Sequence, residues 1–322
     1  MTKPDRTDIK ISFAPLQGFS DYIYRCVYAE LFPGVDEFYI PYITLQNDKT
    51  IKKSHLREIE PENNKGINAI PQVLAGSSEE FIFLAQLLEE KGYSEINLNL
   101  GCPYPMVAKR GKGSGLLPTP HKIRELLENS IPILHSSISI KMRAGYFESN
   151  EFLKVLEILN EFPLKKVIFH PRTGKQLYKE EADISLFQEA LNCSRHPLSY
   201  NGDIFTKLDY KEFKKQYPDL NDFMIGRGIL SNPFLPAEIK KIEIEGNKTD
   251  LLHQFHNRLF EKHLAYLEGD SHLLHKMLAF WEYFPHSFHP SYKVYKLIKK
   301  AKSRQKYMDA VQEIFRSYSL IS

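Results

Sequence analysis

Short apolar runs recur along the first three-quarters of the chain, and most are followed by a stretch with helical periodicity. The runs predict strands over 11–15, 37–40, 69–74, 95–100, 137–142, 166–170, 197–200 and 222–225. Between them, 77–91 opens on Ser77 or Ser78 as N-cap and sets Phe81, Leu84, Leu87 and Leu88 on one face. The stretch 119–128 starts with Pro120 in its first turn, and 150–160 and 183–191 read as further helices. Eight strand–helix alternations in about 235 residues match a parallel (β/α)8 TIM barrel, usually about 250 residues long. A doubly wound open sheet is the alternative. Polar, chemistry-capable residues at the C-terminal tip of nearly every strand favour the barrel, whose active sites lie there.

Beyond about residue 245 no strand signal remains; 251–267, 272–283, 292–298 and 308–318 read as helices. The expected organisation is α/β: a catalytic barrel over 1–244, then a C-terminal all-α helical domain over 245–322. With 322 residues, 42% hydrophobic and 26% charged, the chain can bury a barrel core and carry such an extension. A net charge of +3 is too small to bind nucleic acid by itself, so any such role needs local clustering. Cys26, Cys102 and Cys193 are sparse and far apart, against a disulfide framework or a thiolate zinc site. Residues 1–10 are polar, without the apolar core of a secretory signal. No apolar run nears the roughly 20 residues that span a bilayer. A cytoplasmic protein with no membrane association and no obligate protein partner is expected.

The fourth predicted strand ends in Asn99-Leu100-Gly101-Cys102-Pro103, presenting a thiol on a turn where Pro103 blocks further pairing. A loop with Lys109, Arg110 and Lys112 among glycines follows, and the combination suggests acid–base chemistry on a polyanionic substrate. A free cysteine is also commonly a small buried hydrophobe. At the fifth strand end, alternation points Lys141 and Arg143 into one site, where two cations call for an anionic partner. His170-Pro171-Arg172-Thr173 ends the sixth strand. Asn201-Gly202-Asp203 and Gly226-Arg227-Gly228 follow the seventh and eighth, the usual phosphate-binding loops of a barrel. Together they imply a phosphorylated cofactor, and FMN fits, with Gln72 as a donor to its ring. In the tail, Lys293, Lys296, Lys299, Lys300, Lys302, Arg304 and Lys306 run without an acid, interleaved with Tyr292, Tyr295 and Tyr307. This is either a solvated face or a surface for phosphates and stacked bases. Three HxxH pairs, His253/His256, His272/His275 and His286/His289, lack an acid or Cys to complete a metal set, so no metal is expected and surface or RNA-facing roles are favoured.

These motifs resemble the flavin-dependent tRNA dihydrouridine synthases. The likeness runs through Ala14–Asp21, Gln72–Gly76, Asn99–Pro103, Val107, Gly113–Leu117, Lys141–Arg143, His170–Thr173, Asn201–Ile204 and Gly226–Gly228. It implies reduction of the C5–C6 bond of tRNA uridines, with Cys102 giving the proton to C5. Pro15, Leu16, Gln17, Gln72, Lys141, His170, Asn201, Gly202, Asp203, Gly226 and Arg227 would hold FMN, and NADPH would supply electrons. Asn99 and Arg143 would face the base, with Lys109, Arg110, Lys276, Lys293, Lys296, Lys299 and Lys300 on the RNA. The chain departs from the family at Leu16 (usually Met), at Pro41-Tyr42 (usually Thr-Glu or Ser-Glu) and at Ile184 (commonly Trp); none is expected to touch the central chemistry. Two other readings stay open. One is an FMN barrel dehydrogenase acting on a free pyrimidine, like dihydroorotate dehydrogenase. The other is an idle RNA-binding barrel.

Overall fold

A computed structural model describes residues 9–46 and 50–321. Residues 1–8, most of the segment read against a secretory signal, lie outside the described residues. In chain order the elements begin β1 (Lys10–Phe13), α1 (Tyr22–Leu31), β2 (Glu37–Ile43), α2 (Lys53–Glu58), β3 (Ala69–Val73), α3 (Ser78–Glu90) and β4 (Glu95–Leu100). They continue α4 (Pro105–Ala108), α5 (Pro120–Ser130), β5 (Ser137–Gly145), α6 (Glu151–Leu159), β6 (Val167–Thr173), α7 (Ile184–Cys193), β7 (Leu198–Tyr200), α8 (Lys207–Gln216) and β8 (Asp222–Ile225). The remainder is α9 (Arg227–Ser231), α10 (Leu235–Lys240), α11 (Lys248–Leu264), α12 (Asp270–Phe280), β9 (Phe288–His289), α13 (Ser291–Lys300), α14 (Arg304–Ser317) and β10 (Ser319–Leu320). No helix among the described residues is long and apolar enough to cross a membrane.

The strands form a closed parallel barrel in sequence order, so the open-sheet alternative falls. Closure is the parallel pairing of β1 with β8, Lys10↔Asp222 through Phe13↔Ile225. Alternation sends one side chain in two inward. Ala14, Tyr39, Ile70, Ile168 and Met224 pack as one buried cluster. At the N-terminal end Lys166 is buried, with its ammonium 2.9 Å from Glu37 and 3.1 Å from Asp222. Helix starts follow the local sequence. Ser77 caps α3 by accepting from the Glu80 N–H, and Thr206 and Asp209 close a reciprocal capping box on α8.

Several strands run past their expected ends. β2 reaches Ile43, β5 reaches Gly145 and β6 reaches Thr173. Arg143 therefore lies inside β5, Lys141 and His170 are no longer at strand ends, and Pro171 does not end β6.

The described chain divides into two compact units, 9–15, 36–203 and 219–225 in one, and 16–35, 204–218 and 226–321 in the other. In the second unit α1, α8, α9 and α10 group with the C-terminal helices. Within that second unit, Phe255 of α11 packs edge-on against Tyr24, Tyr28 and Phe32, with centroids 5.2, 6.3 and 5.1 Å away. Its C-terminal part is not wholly α-helical: β9 and β10 form a two-residue antiparallel pair, extended by the Ile321 N–H on Ser287 O at 3.0 Å. Two residues are too few to show as a periodic pattern.

Candidate active site

Asn99, near the end of β4, shapes the turn that carries the thiol. Its side-chain oxygen accepts from the N–H groups of Gly101 (3.0 Å) and Cys102 (2.8 Å). Its amide donates to Gln72 Oε1 at 2.6 Å, Gln72 donates to Asn97 Oδ1 at 2.7 Å, and Asn97 donates to Ser139 Oγ at 3.0 Å. This relay crosses three neighbouring strands and fixes the amide orientations. Gln72, expected to face a ring, is thus also a strut for the Cys102 turn. On the other side, the Ser114 hydroxyl donates to Cys102 O at 2.8 Å. Gly113, at φ +59°, passes so close that a Cβ there would lie 2.8 Å from Cys102 Cβ.

Cys102 is 5% exposed. Burial pushes its thiol pKa up, against smaller opposing effects from the Tyr104 backbone, Tyr42, Arg143 and Lys141. The S–H points at the Tyr42 hydroxyl, 4.0 Å away. Tyr42 is a correction to the sequence reading, which placed the Pro41-Tyr42 departure away from the chemistry. The signal was present in that departure; the strand extension that brings it in was not.

Lys141 pairs in register with Asn99 across β4 and β5. Its ammonium has no hydrogen-bond partner among the described residues, and burial followed by the Arg143 cation pushes its pKa down to about 7. Arg143 differs. It is fully buried and donates to Gly101 O (3.2 Å), Thr173 O (2.7 Å) and Leu177 O (2.9 Å). The guanidinium expected to meet an anion instead ties the Cys102 turn to the loop after β6. Arg172 donates to His170 Nε2 at 3.0 Å; a guanidinium has no acceptor, so this contact uses the His170 tautomer with its proton on Nδ1. Arg172 also forks onto the Asp203 carboxylate, which accepts from the Ala182 N–H at 3.1 Å as well. The Asn201 amide donates to Met224 O at 2.8 Å. Gly202 lies against Tyr200, whose hydroxyl would be 2.0 Å from an added Cβ, so a packing reason for glycine stands beside the phosphate one.

Pro15 is half-buried after β1. In the second unit, Leu16 O accepts from the Phe19 and Ser20 N–H groups at 3.0 Å in a turn where Gln17 is exposed. Gly226 precedes α9, and the Arg227 guanidinium sits 5.2 Å over the Phe205 ring.

Of the loop cations, Lys109 and Arg110 are exposed, while Lys112 is paired with Glu80 at 2.8 Å. Lys293, Lys296, Lys299 and Lys300 line the exposed side of α13, whose other face buries Val294 and Ile298. Tyr292 is 67% exposed, and Lys299 lies 5.6 Å over Tyr295. Three expectations change. Tyr307 is core, its hydroxyl bonded to His256 Nε2 at 2.7 Å and to the Trp281 indole N–H at 2.8 Å, so neither Tyr307 nor His256 faces RNA. Lys276 is held by Asp21 at 2.7 Å and donates to Gly18 O at 2.9 Å, which makes it first a structural cation.

The model of the dihydrouridine synthase family matches residues 12–318. A probable tRNA-dihydrouridine synthase of Staphylococcus epidermidis is 32% identical over 208 residues, 60% of this chain; the chain spans 60% of that relative's length. The tRNA-dihydrouridine synthase B of Pasteurella multocida is 26% identical over 283 residues, covering 81% of this chain and 84% of that protein. Among solved structures, histamine dehydrogenase from Rhizobium sp. 4-9 shares the fold, with a TM-score of 0.53 at 11% identity over 84% of this chain and 49% of that one. With almost the whole described chain matched, and with the strand-tip motifs in order around one closed barrel, the chain belongs to the dihydrouridine synthase family.

Proposed function

We propose that the protein is an FMN-dependent, NADPH-driven tRNA dihydrouridine synthase of the cytoplasm. The observation that carries this reading is a buried thiol just past β4 beside the Lys141 ammonium, which stands on β5 in register with Asn99 and makes no hydrogen bond among the described residues. An ammonium so placed suits the electron-rich edge of a flavin, and burial keeps the thiol an acid rather than a nucleophile. Lys141, Gln72, His170, Asn201, Gly202, Asp203 and Pro15 in the barrel unit are the proposed flavin residues, joined by Leu16, Gln17, Gly226 and Arg227. Bound FMN, reduced by NADPH, would supply a hydride to C6 of the uracil ring. Cys102 then gives its proton to C5: the S–H bond breaks, a C5–H bond forms, and the thiolate regains a proton from water. Asn99 and Arg143 act through the turn that aims this thiol.

The uridine must leave its stack to reach a thiol so buried, which calls for an extended grip on the RNA. Residues 245–322, with the exposed lysines of α13, are the proposed tRNA-binding part, with Lys109, Arg110 and Lys276 as further contacts. Mapping dihydrouridine in tRNA from cells lacking this gene tests the reading. One or more positions should revert to uridine and return with the wild-type gene; an unchanged map rejects it.

A further inference from the structure

β2 contains a proline where its partner continues. Its pairing with β3 holds at Phe38↔Ala69, Tyr39↔Ile70 and Ile40↔Pro71, and resumes at Ile43↔Val73. Between these points β2 spends three residues against two. Pro41 has no N–H to give the ladder, so the strand bulges there. A bulge of one residue reverses the alternation beyond it. Tyr39 packs in the buried barrel cluster; after the bulge it is Tyr42, not Pro41, that turns to the mouth and sets its hydroxyl 4.0 Å from Cys102 Sγ.

We infer that Tyr42 is a positioning residue for the Cys102 proton, accepting the S–H of the resting thiol and donating its own O–H to the thiolate left after transfer. The inference rests on the reading of Cys102 as the proton donor. Of the other groups at the thiol, the Tyr104 backbone on its own loop hydrogen-bonds the sulfur, and Lys141 and Arg143 from β5 act on it by charge. Arg143 is committed to three backbone carbonyls, and Lys141 makes no hydrogen bond among the described residues. The Gly113–Leu116 turn, packed on the same loop, offers Ser114, which serves the Cys102 carbonyl rather than the sulfur. Among the described residues, Tyr42 is therefore the side chain in hydrogen-bond contact with Sγ. Burial, then the neighbouring thiol, raises its own phenol well above the ordinary range, so it stays a donor and does not compete for the proton. The step balances without a further reagent. The thiol loses H⁺ to C5, the sulfur keeps the bonding pair, Tyr42 hydrogen-bonds the resulting anion, and solvent returns the proton.

The test is Tyr42→Phe in the full chain, with Cys102 alkylation by iodoacetamide followed across pH by peptide mass spectrometry and Cys26 and Cys193 as internal controls. A lost hydrogen bond to the anion should slow Cys102 alkylation about tenfold near pH 8, with the two proteins converging at high pH where the thiolate saturates. Identical profiles, or a change of equal size at every pH, would overturn the inference, the latter reporting access alone. If Cys102 is closed to the reagent, the S–H stretching band, assigned by its loss in Cys102→Ala, decides. It moves to higher frequency in Tyr42→Phe if the acceptor is gone, and a fixed band rejects the role. Neither readout uses RNA or NADPH, so this inference and the proposed reaction can fail separately.

Discussion

In the proposed reaction the thiol must hold its proton until the base arrives, and burial of Cys102, which pushes its pKa up, favours this at neutral pH. Cys102→Ala should keep flavin binding and flavin reduction by NADPH while turnover on tRNA falls about 100- to 10,000-fold. Stopped-flow reduction beside a dihydrouridine assay separates the two; unchanged turnover would return Cys102 to the role of a core hydrophobe. Lys141 carries the pH dependence. Its ammonium titrates near 7 in the ligand-free fold, well below a free lysine. Between pH 7 and 10 the folded chain thus binds fewer protons here than the unfolded chain, and an electron-rich ligand must draw one back. FMN affinity should weaken as pH rises above 7, by up to about tenfold per unit, with proton uptake visible in buffers of differing ionisation enthalpy. Lys141→Gln should flatten that slope; a wild-type affinity constant from pH 6 to 9 would contradict it. Parity alone made Lys141 and Arg143 neighbours in the sequence. What Arg143 binds was not legible, since the carbonyls of Gly101, Thr173 and Leu177 come from the turn after β4, the end of β6 and the loop beyond it, which only the closed barrel brings together.

Two elements decide whether these residues stay in place and whether RNA is held. The Gly113–Leu116 turn braces the Cys102 carbonyl through Ser114, and Gly113 combines positive φ with a 2.8 Å approach to Cys102 Cβ. Gly113→Ala should cost about 1–3 kcal/mol, read by urea denaturation, because both the backbone and the thiol loop must shift. Activity should fall further than stability alone explains. On α13, replacing Lys293, Lys296 and Lys300 by Gln should weaken tRNA binding and reduce the slope of log K against log salt by about 0.7–0.9 per lost contact. Flavin content should not move. An unaltered slope would make α13 a solvated face. The acid-free run and its Val294/Ile298 period made this helix readable in advance. Tyr307 was misread because a run of cations hides which aromatic lies on the buried side; its partners His256 and Trp281 belong to α11 and the end of α12, far away in sequence. Strand ends were set too early at β2, β5 and β6, where Pro41, Gly145 and Pro171 look like terminators but are absorbed by register shifts or by a neighbouring strand.

At the scale of the molecule, the second unit carries a latent acid sensitivity. His256 and His263 are buried, and desolvation, the largest effect on each, lowers both to about 4. Their folded-state pKa values lie below the unfolded value of about 6.5, so the stability they contribute is present above 6.5 and is lost as pH falls toward 4. Scanning calorimetry should show a falling thermal midpoint across that window, with a shallower fall in His256→Gln; a flat midpoint would mean the histidines are solvated. The barrel was legible from eight alternations because each strand needs a crossover helix. The packing of α1 was not, because it joins the C-terminal helices through an aromatic cluster that leaves no signal in the sequence. The central claim, that this protein reduces uridine within tRNA by way of Cys102, is tested most directly by incubating purified protein with NADPH and unmodified tRNA and counting dihydrouridine by mass spectrometry. The account predicts dihydrouridine that requires both NADPH and intact tRNA and is lost in Cys102→Ala. Oxidation of NADPH with a free pyrimidine and none with tRNA, or full product from Cys102→Ala, would contradict it.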